Sequence, residues 1–260
     1  MLSYSLEGSN ESAPVILYLH GLGIGGWCWD PVRAARPEFG ALVPDLPGHG
    51  KSNDIAWRSI ADTAASVASV VDTLPASRPV HVTGHSLGAY VGLVLLTQRP
   101  DRFSTALLSG FHVGSLNYAM LLKLAYIANS LIFRVPPLRR RFASIFGDEA
   151  SAQRFIAGAA AMRPGTIRRA GMQVVDFKAP AGWHALSHPI LAVAADGEPH
   201  AIRSTPRRLA LQLPSVDARV LQGRDHLWPI KEPGLYADLL KTHITTHTQT
   251  GRQLQAPTNA

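Results

Sequence analysis

Pro79-Val80-His81-Val82-Thr83-Gly84-His85-Ser86-Leu87-Gly88-Ala89-Tyr90-Val91-Gly92-Leu93-Val94-Leu95-Leu96 reads as a short apolar strand, a glycine-flanked turn and a helix. A serine on such a strand-to-helix turn stands at the carboxyl end of the strand and is held by backbone strain. The glycines on either side give the tight backbone its room. Ser86 is therefore a candidate nucleophile. Gly-x-Ser-x-Gly alone is short enough to arise by chance in glycine-rich loops, so its weight comes from the strand before it and the helix after it.

Working outward, apolar runs bounded by turn residues recur, with helical patterns between them. Strands are expected over 15–19, 41–43, 80–83, 105–108, 190–194 and 218–221, with an antiparallel edge strand over 2–6. Helices are expected over 60–74, 87–99, 205–213 and 233–247. This alternation predicts an α/β fold with a mostly parallel, doubly wound sheet. It fails over 111–184, where apolar and Arg-rich helical patterns punctuated by Pro136-Pro137, Gly147 and Pro164-Gly165 replace strands. That stretch is expected to be a helical insertion in a single domain spanning 1–260, and the polar tail 248–260 is expected to be disordered.

At 260 residues and 46% hydrophobic content, the chain can bury a sizeable core. The first ten residues lack the basic and apolar regions of a secretory signal, which reads as a cytoplasmic protein. The apolar stretch 118–133 is interrupted by Lys123 and Asn129 and is too short for a transmembrane segment. Cys28 is the sole cysteine, which excludes an intramolecular disulfide and disfavours a Cys-based metal site. Between Trp27 and Trp29 it reads as a small buried apolar residue.

The net charge of +7 is localised. From His112 to His184, ten basic residues (Lys123, Arg134, Arg139, Arg140, Arg141, Arg154, Arg163, Arg168, Arg169, Lys178) face three acidic ones (Asp148, Glu149, Asp176), an excess equal to that of the whole chain. The clusters at Arg139-Arg140-Arg141 and Arg168-Arg169 read first as a solvated helix face. The second reading is a field that steers an anionic partner. No nucleic-acid recognition motif accompanies the charge.

In an open parallel sheet, reactive groups gather beyond the carboxyl ends of the strands. His20-Gly21-Leu22-Gly23 follows the strand at 15–19. The N–H groups of Leu22 and Leu87 could together form an oxyanion hole. Gln222-Gly223-Arg224-Asp225-His226 follows the last strand, and a neutral imidazole there suits His226 to take a proton from serine. His112 and His200 also lie near strand ends. Ala195-Asp196-Gly197-Glu198 places two carboxylates past the strand at 190–194, and either could orient the imidazole.

His20-Gly21-Leu22-Gly23, Asp45-Leu46-Pro47-Gly48-His49-Gly50-Lys51-Ser52, Gly84-His85-Ser86-Leu87-Gly88 and His226 stand in the order seen in the α/β-hydrolase fold superfamily. The chain resembles its small, lid-bearing, esterase-like members from the first strands to about Leu240. The resemblance implies a structural role for Asp45 to Ser52. It also places the acid third after a glycine, where Ala195 stands in for the glycine and Glu198 occupies the acid position, so it favours Glu198 over Asp196. It further implies that 111–184 is a lid over the pocket. Met120, Leu121, Leu124, Tyr126, Ile127, Leu131 and Phe133 recur at roughly helical spacing there and could line an acyl pocket or pack on the sheet.

The expected function is a serine hydrolase cleaving an ester, thioester or related acyl bond. Ser86, His226 and Glu198 would act as triad, Leu22 and Leu87 as oxyanion donors, with no metal or organic cofactor. The substrate is expected to be a small acyl compound, either anionic or carried as a thioester. C–C bond hydrolysis, lactone opening and perhydrolysis on the same triad are the alternatives within the fold. A slow-turnover ligand receptor or binding module is the alternative of another class.

Overall fold

A computed structural model describes residues 1–8 and 13–254. Seven strands form one sheet: β1 (Tyr4–Glu7), β2 (Val15–Leu19), β3 (Gly40–Pro44), β4 (Val80–His85), β5 (Thr105–Ser109), β6 (Ile190–Ala195) and β7 (Val216–Leu221). Their spatial order is β1-β3-β2-β4-β5-β6-β7, with β1 antiparallel to β3 and every other pairing parallel. The central strands are buried along their whole length, which is why they read as unbroken apolar runs instead of alternating ones. The last strand starts two residues earlier than expected. Asp217 and Arg219 interrupt its apolar pattern because they sit on an exposed edge strand.

Eleven α-helices are seen among the described residues: α1 (Asp30–Ala34), α2 (Ile60–Val71), α3 (Leu87–Gln98), α4 (Ala119–Ile132), α5 (Pro136–Ala143), α6 (Glu149–Ala161), α7 (Thr166–Val175), α8 (His200–Arg203), α9 (Thr205–Ala210), α10 (Trp228–Lys231) and α11 (Pro233–Leu254). One core joins the sheet to α2 and α3 through Ile60, Ala64, Val67 and the fully apolar flank of α3. The opposite face packs on α1 and α11 through Val32, Tyr236, Leu240 and Ile244. Local capping fixes where helices begin: the Ser59 hydroxyl accepts the Asp62 N–H at 2.9 Å to start α2, and the Asp148 carboxylate accepts the Ser151 N–H at 2.8 Å to start α6.

The helix α11 continues to Leu254, past Thr248, where a disordered tail is expected from composition. Residues 255–260 of that expected tail lie outside the described residues. Among the described residues no helix is long and apolar enough to cross a membrane.

Between β5 and β6 the chain leaves the sheet for α4 to α7. Ala143, Phe146, Phe155 and Ala159 give this insertion a small aromatic core of its own. The sheet has its switch point between β2 and β4, where the chain steps from β3 across β2 to the other half of the sheet. Loops leaving adjacent strands there diverge and open a crevice. The loops after β2 and β4 carry His20-Gly21-Leu22-Gly23 and Ser86 into it.

Candidate active site

Ser86 has φ 54° and ψ −120°, and it is the only non-glycine residue with positive φ among the described residues. Its N–H donates to the Ser109 carbonyl at 2.9 Å, tying the turn to the end of β5. The turn closes this tightly because neither flanking position has a side chain. A Cβ on Gly84 would stand 2.4 Å from the Gly88 carbonyl oxygen, and one on Gly88 would stand 2.0 Å from that of Leu19. Leu87 begins α3 directly after the serine, and its N–H has no acceptor among the described residues. The N–H of Leu22 is also without one. These are the two N–H groups expected from the sequence as oxyanion donors.

Two buried imidazoles shape the loop that carries Leu22. His20 Nε2 accepts the Leu46 N–H at 2.9 Å, which leaves Nδ1–H to donate to the Gly21 carbonyl at 2.8 Å. His49 Nε2 accepts the Gly23 N–H at 3.2 Å, and Nδ1–H donates to the Pro47 carbonyl at 3.0 Å. The rings meet edge to face at 5.1 Å. Burial drives the His49 pKa down to about 3, the proximity of His20 adding to it, and burial lowers that of His20 too. Each ring is thus neutral and holds one tautomer. The Asp45 carboxylate finishes the second loop by accepting the N–H groups of Gly26 and Lys51 at 2.8 and 2.9 Å.

His226 Nδ1–H donates to Glu198 Oε1 at 2.5 Å. The Glu198 side chain is fully buried, and its Oε2 accepts the Ala195 N–H at 2.7 Å. A turn in which the Glu198 N–H donates to the Ala195 carbonyl at 3.2 Å swings that carboxylate beneath the imidazole. Asp196 goes elsewhere. Its two oxygens accept the N–H groups of Arg224 and Gly223 at 3.0 and 2.9 Å, joining the loop after β6 to the loop after β7. These backbone donors hold its pKa below the ordinary value. Of the two carboxylates open to the sequence reading, Glu198 is the one that meets His226.

Neither rival histidine meets a carboxylate. His112 faces the carbonyls of Gly114 and Val174 at 3.1 and 3.0 Å, and His200 is exposed at the start of α8. His85 was not singled out by sequence reasoning. Its ring lies 4.7 Å from that of His226, its Nδ1 pairs with the Ser109 hydroxyl at 2.9 Å, and burial pushes its pKa well below the ordinary value. A neutral ring therefore flanks His226. Gly110, at φ 69°, makes room for both: a Cβ there would stand 2.6 Å from His85 and 2.9 Å from His226.

Ser86 and His226 open into one cavity of about 240 Å³. Its walls are largely apolar, with Tyr90 of α3, Leu122 and Tyr126 of α4, Val174 and Val175 of α7, and Ile202 of α8. Leu122 and Tyr126 lie four residues apart, on one face of α4. Met120, Leu121, Leu124 and Ile127 are on the other side of the helix and exposed, Met120 to 71%. They therefore neither line this cavity nor pack on the sheet, because only one stripe of α4 faces inward. The Leu131 side chain lies outside the described residues, and Phe133 lines a different cavity. Among the described residues no group of three or more His, Cys, Asp or Glu side chains could hold a metal ion.

Residues 16–239 match the model of the alpha/beta hydrolase family. This chain belongs to that family. Family members among curated proteins include an AB hydrolase superfamily protein of Gibberella zeae, 31% identical over 109 residues that cover 41% of this chain and 39% of that protein. Lipase LipV of Mycobacterium tuberculosis is 33% identical over 93 residues, covering 36% of this chain and 35% of the lipase. The matched segment thus spans little more than a third of these relatives. Over nearly the whole length, the fold is shared with a carboxylesterase structure from Nitrososphaera gargenis, at a TM-score of 0.80 and 17% identity, covering 95% of each chain.

Proposed function

We propose that this α/β hydrolase is a serine hydrolase that cleaves an acyl ester or thioester through an acyl-enzyme on Ser86. The observation that carries the proposal is the buried Glu198 carboxylate hydrogen-bonded to His226 Nδ1 at 2.5 Å, with His226 and Ser86 on one cavity. That bond fixes the tautomer, so Nε2 is the basic nitrogen turned to other work. His226 Nε2 takes the Ser86 Oγ proton as Oγ attacks the acyl carbonyl. The N–H groups of Leu22 and Leu87 receive the developing oxyanion. The proton then passes from His226 to the leaving group, and water, activated by His226 in turn, releases the acid. Glu198 stabilises the transient imidazolium without itself being protonated.

A cavity of about 240 Å³ lies below the roughly 300–1,000 Å³ usual for sites that enclose drug-sized ligands. Its apolar walls suit a short acyl chain. The insertion α4 to α7 contributes Leu122, Tyr126, Val174 and Val175 to those walls, which supports the reading of it as a lid that selects the acyl group. The likeness to a lipase and to a carboxylesterase supports the same bond class.

The test is a panel of p-nitrophenyl esters, thioesters and lactones of graded length, run beside Ser86→Ala and fluorophosphonate labelling. Labelling of Ser86, multiple turnover on short acyl substrates and loss of both in Ser86→Ala are expected. Full activity in Ser86→Ala would overturn the assignment. A serine that labels but does not turn over would point to a slow ligand receptor instead.

A further inference from the structure

A second cavity, of about 570 Å³, lies within the helical insertion. Five arginines line it: Arg134 and Arg139 from the chain just after α4 and from α5, and Arg163, Arg168 and Arg169 from the turn before α7 and from α7 itself. No aspartate or glutamate is among its walls. The ion pairs of the insertion engage Lys123 with Asp176 and Arg154 with Asp30, so all five arginines are left without a carboxylate among the described residues. Among the described residues their guanidinium hydrogen bonds go to backbone carbonyls: Arg139 to Phe133 at 3.0 Å, Arg163 to Asp54 at 2.8 Å and Arg169 to Pro164 at 3.3 Å. The Nε atoms of Arg139 and Arg169 are buried with no acceptor among the described residues. Arg134, Arg163 and Arg168 are exposed and Arg139 and Arg169 half-buried, so a multiply charged anion in this space would meet several unpaired guanidinium groups and fill their empty donor positions.

The cavity also has a defined relation to Ser86. Phe133 and Ile167 form part of its wall and touch the oxyanion loop from the other side, where a Cβ on Gly23 would stand 2.8 Å from Phe133 and 3.6 Å from Ile167. The helices α4 and α7 serve both spaces: Tyr126 and Val175 line the Ser86 cavity, while Ser130 and Arg168 line the arginine cavity. Between them the Tyr126 ring lies against Gly171, where a Cβ would be 2.3 Å away. From Arg168 to Val175 is about 10 Å along α7 at 1.5 Å per residue. An arm joining an acyl group at Ser86 to an anionic group in the arginine cavity has that short span to cover, and it must pass around or displace the Tyr126–Gly171 contact.

We propose that the arginine cavity holds the phosphate groups of a carrier thiol, so that the substrate is an acyl thioester of the coenzyme A type. Arginine is the residue suited to this ligand, since its planar fork meets phosphate oxygens two at a time. The inference rests on the reading of Ser86 as the acyl acceptor. Ser86 Oγ bonds to the thioester carbonyl carbon, the C–S bond breaks, and the proton held by His226 goes to the departing sulfur. Water then yields the carboxylic acid and frees the serine.

Binding is measured by calorimetry on the whole Ser86→Ala protein, which removes turnover, with coenzyme A, inorganic pyrophosphate and pantetheine as probes. Coenzyme A and pyrophosphate are expected to bind, pantetheine to bind far more weakly, and Arg134→Ala/Arg168→Ala to weaken coenzyme A tenfold or more. Arg140→Ala/Arg141→Ala, which removes equal charge outside the cavity, is expected to leave binding nearly unchanged. Equal binding of coenzyme A and pantetheine, or equal loss in both double variants, would overturn the inference. So would binding confined to vesicles of anionic phospholipid. Because these readouts need no chemistry, they are separate from the reading of Ser86. Failure to bind coenzyme A alongside Ser86-dependent ester hydrolysis sinks only the arginine site, whereas full hydrolysis by Ser86→Ala sinks the parent reading.

Discussion

His49 Nε2 accepts the N–H of Gly23 at 3.2 Å, joining two loops that leave neighbouring strands. Gly23 follows Leu22, whose free N–H is an expected oxyanion donor, so His49 is expected to act as a positioning residue for that donor. His49→Phe keeps an aromatic ring but leaves the Gly23 N–H buried without an acceptor, at a cost of about 1–3 kcal/mol in stability. Loss of a whole oxyanion donor costs about 10²–10³ in kcat, and loosening one is expected to cost roughly tenfold. Steady-state kinetics on a short p-nitrophenyl ester should show the fall in kcat with KM little changed. A loss confined to thermal stability would make His49 structural only.

The two carboxylates after β6 should separate cleanly. Glu198→Gln preserves shape but removes the charge that supports an imidazolium on His226, and a fall in kcat of roughly 10²–10⁴ is expected with the fold intact. Asp196→Asn should leave kcat nearly unchanged and lower the thermal midpoint, because Asp196 links the two loops through Gly223 and Arg224. The reverse pattern, with Asp196→Asn the inactive variant, would exchange their roles.

The strands and the serine turn are legible in the sequence because they depend on local pattern. Buried strands such as Ile190–Ala195 are continuous apolar runs, and Gly84 and Gly88 mark a turn too tight for a side chain. The Glu198–His226 pair is legible only as far as both residues follow strands. The choice between Glu198 and Asp196 depends on how a three-residue turn points its side chains, which periodicity does not encode. His49 and His85 escape because their partners, Gly23 and Ser109, are 26 and 24 residues away. The arginine cavity escapes for the same reason: Arg139 and Arg168, from clusters that read as a solvated helix face, line one space only once the insertion has folded. At the C-terminus, α11 runs on through Leu254 where polar composition alone suggests disorder.

Strain at Ser86 is open to direct measurement. A non-glycine residue in a sparsely populated backbone region costs of order 1–3 kcal/mol, and φ 54° with ψ −120° is such a region. Glycine relieves that strain but loses about 0.5–1 kcal/mol through its more flexible unfolded chain. Ser86→Gly is therefore expected to be more stable than Ser86→Ala by about 1 kcal/mol, with both inactive. Chemical denaturation of the two variants decides it, and equal midpoints would mean that the turn holds little strain.

Buried histidines predict how stability responds to acid. Burial, reinforced by the neighbouring His20, lowers His49 to about 3. Burial, with the neighbouring His243 adding to it, lowers His81 to about 4, and burial, with the neighbouring His247 adding to it, lowers His243 to about 4. In the unfolded chain each titrates near 6.5. Below that pH the unfolded state binds protons that the folded state refuses, so the stabilisation is complete above about pH 6.5 and drains away as pH falls toward about 4. Each histidine contributes at most about 1.4 kcal/mol per pH unit in that window, or about 1–2 kcal/mol between pH 7 and 5. Urea midpoints should therefore be flat from pH 7 to 8 and drop steeply from 6.5 to 5, before most carboxylates titrate. His81→Gln, which keeps a polar group near Thr105 but cannot charge, should make that drop shallower. A midpoint that holds steady down to pH 5 would contradict the neutral, buried state of all three rings.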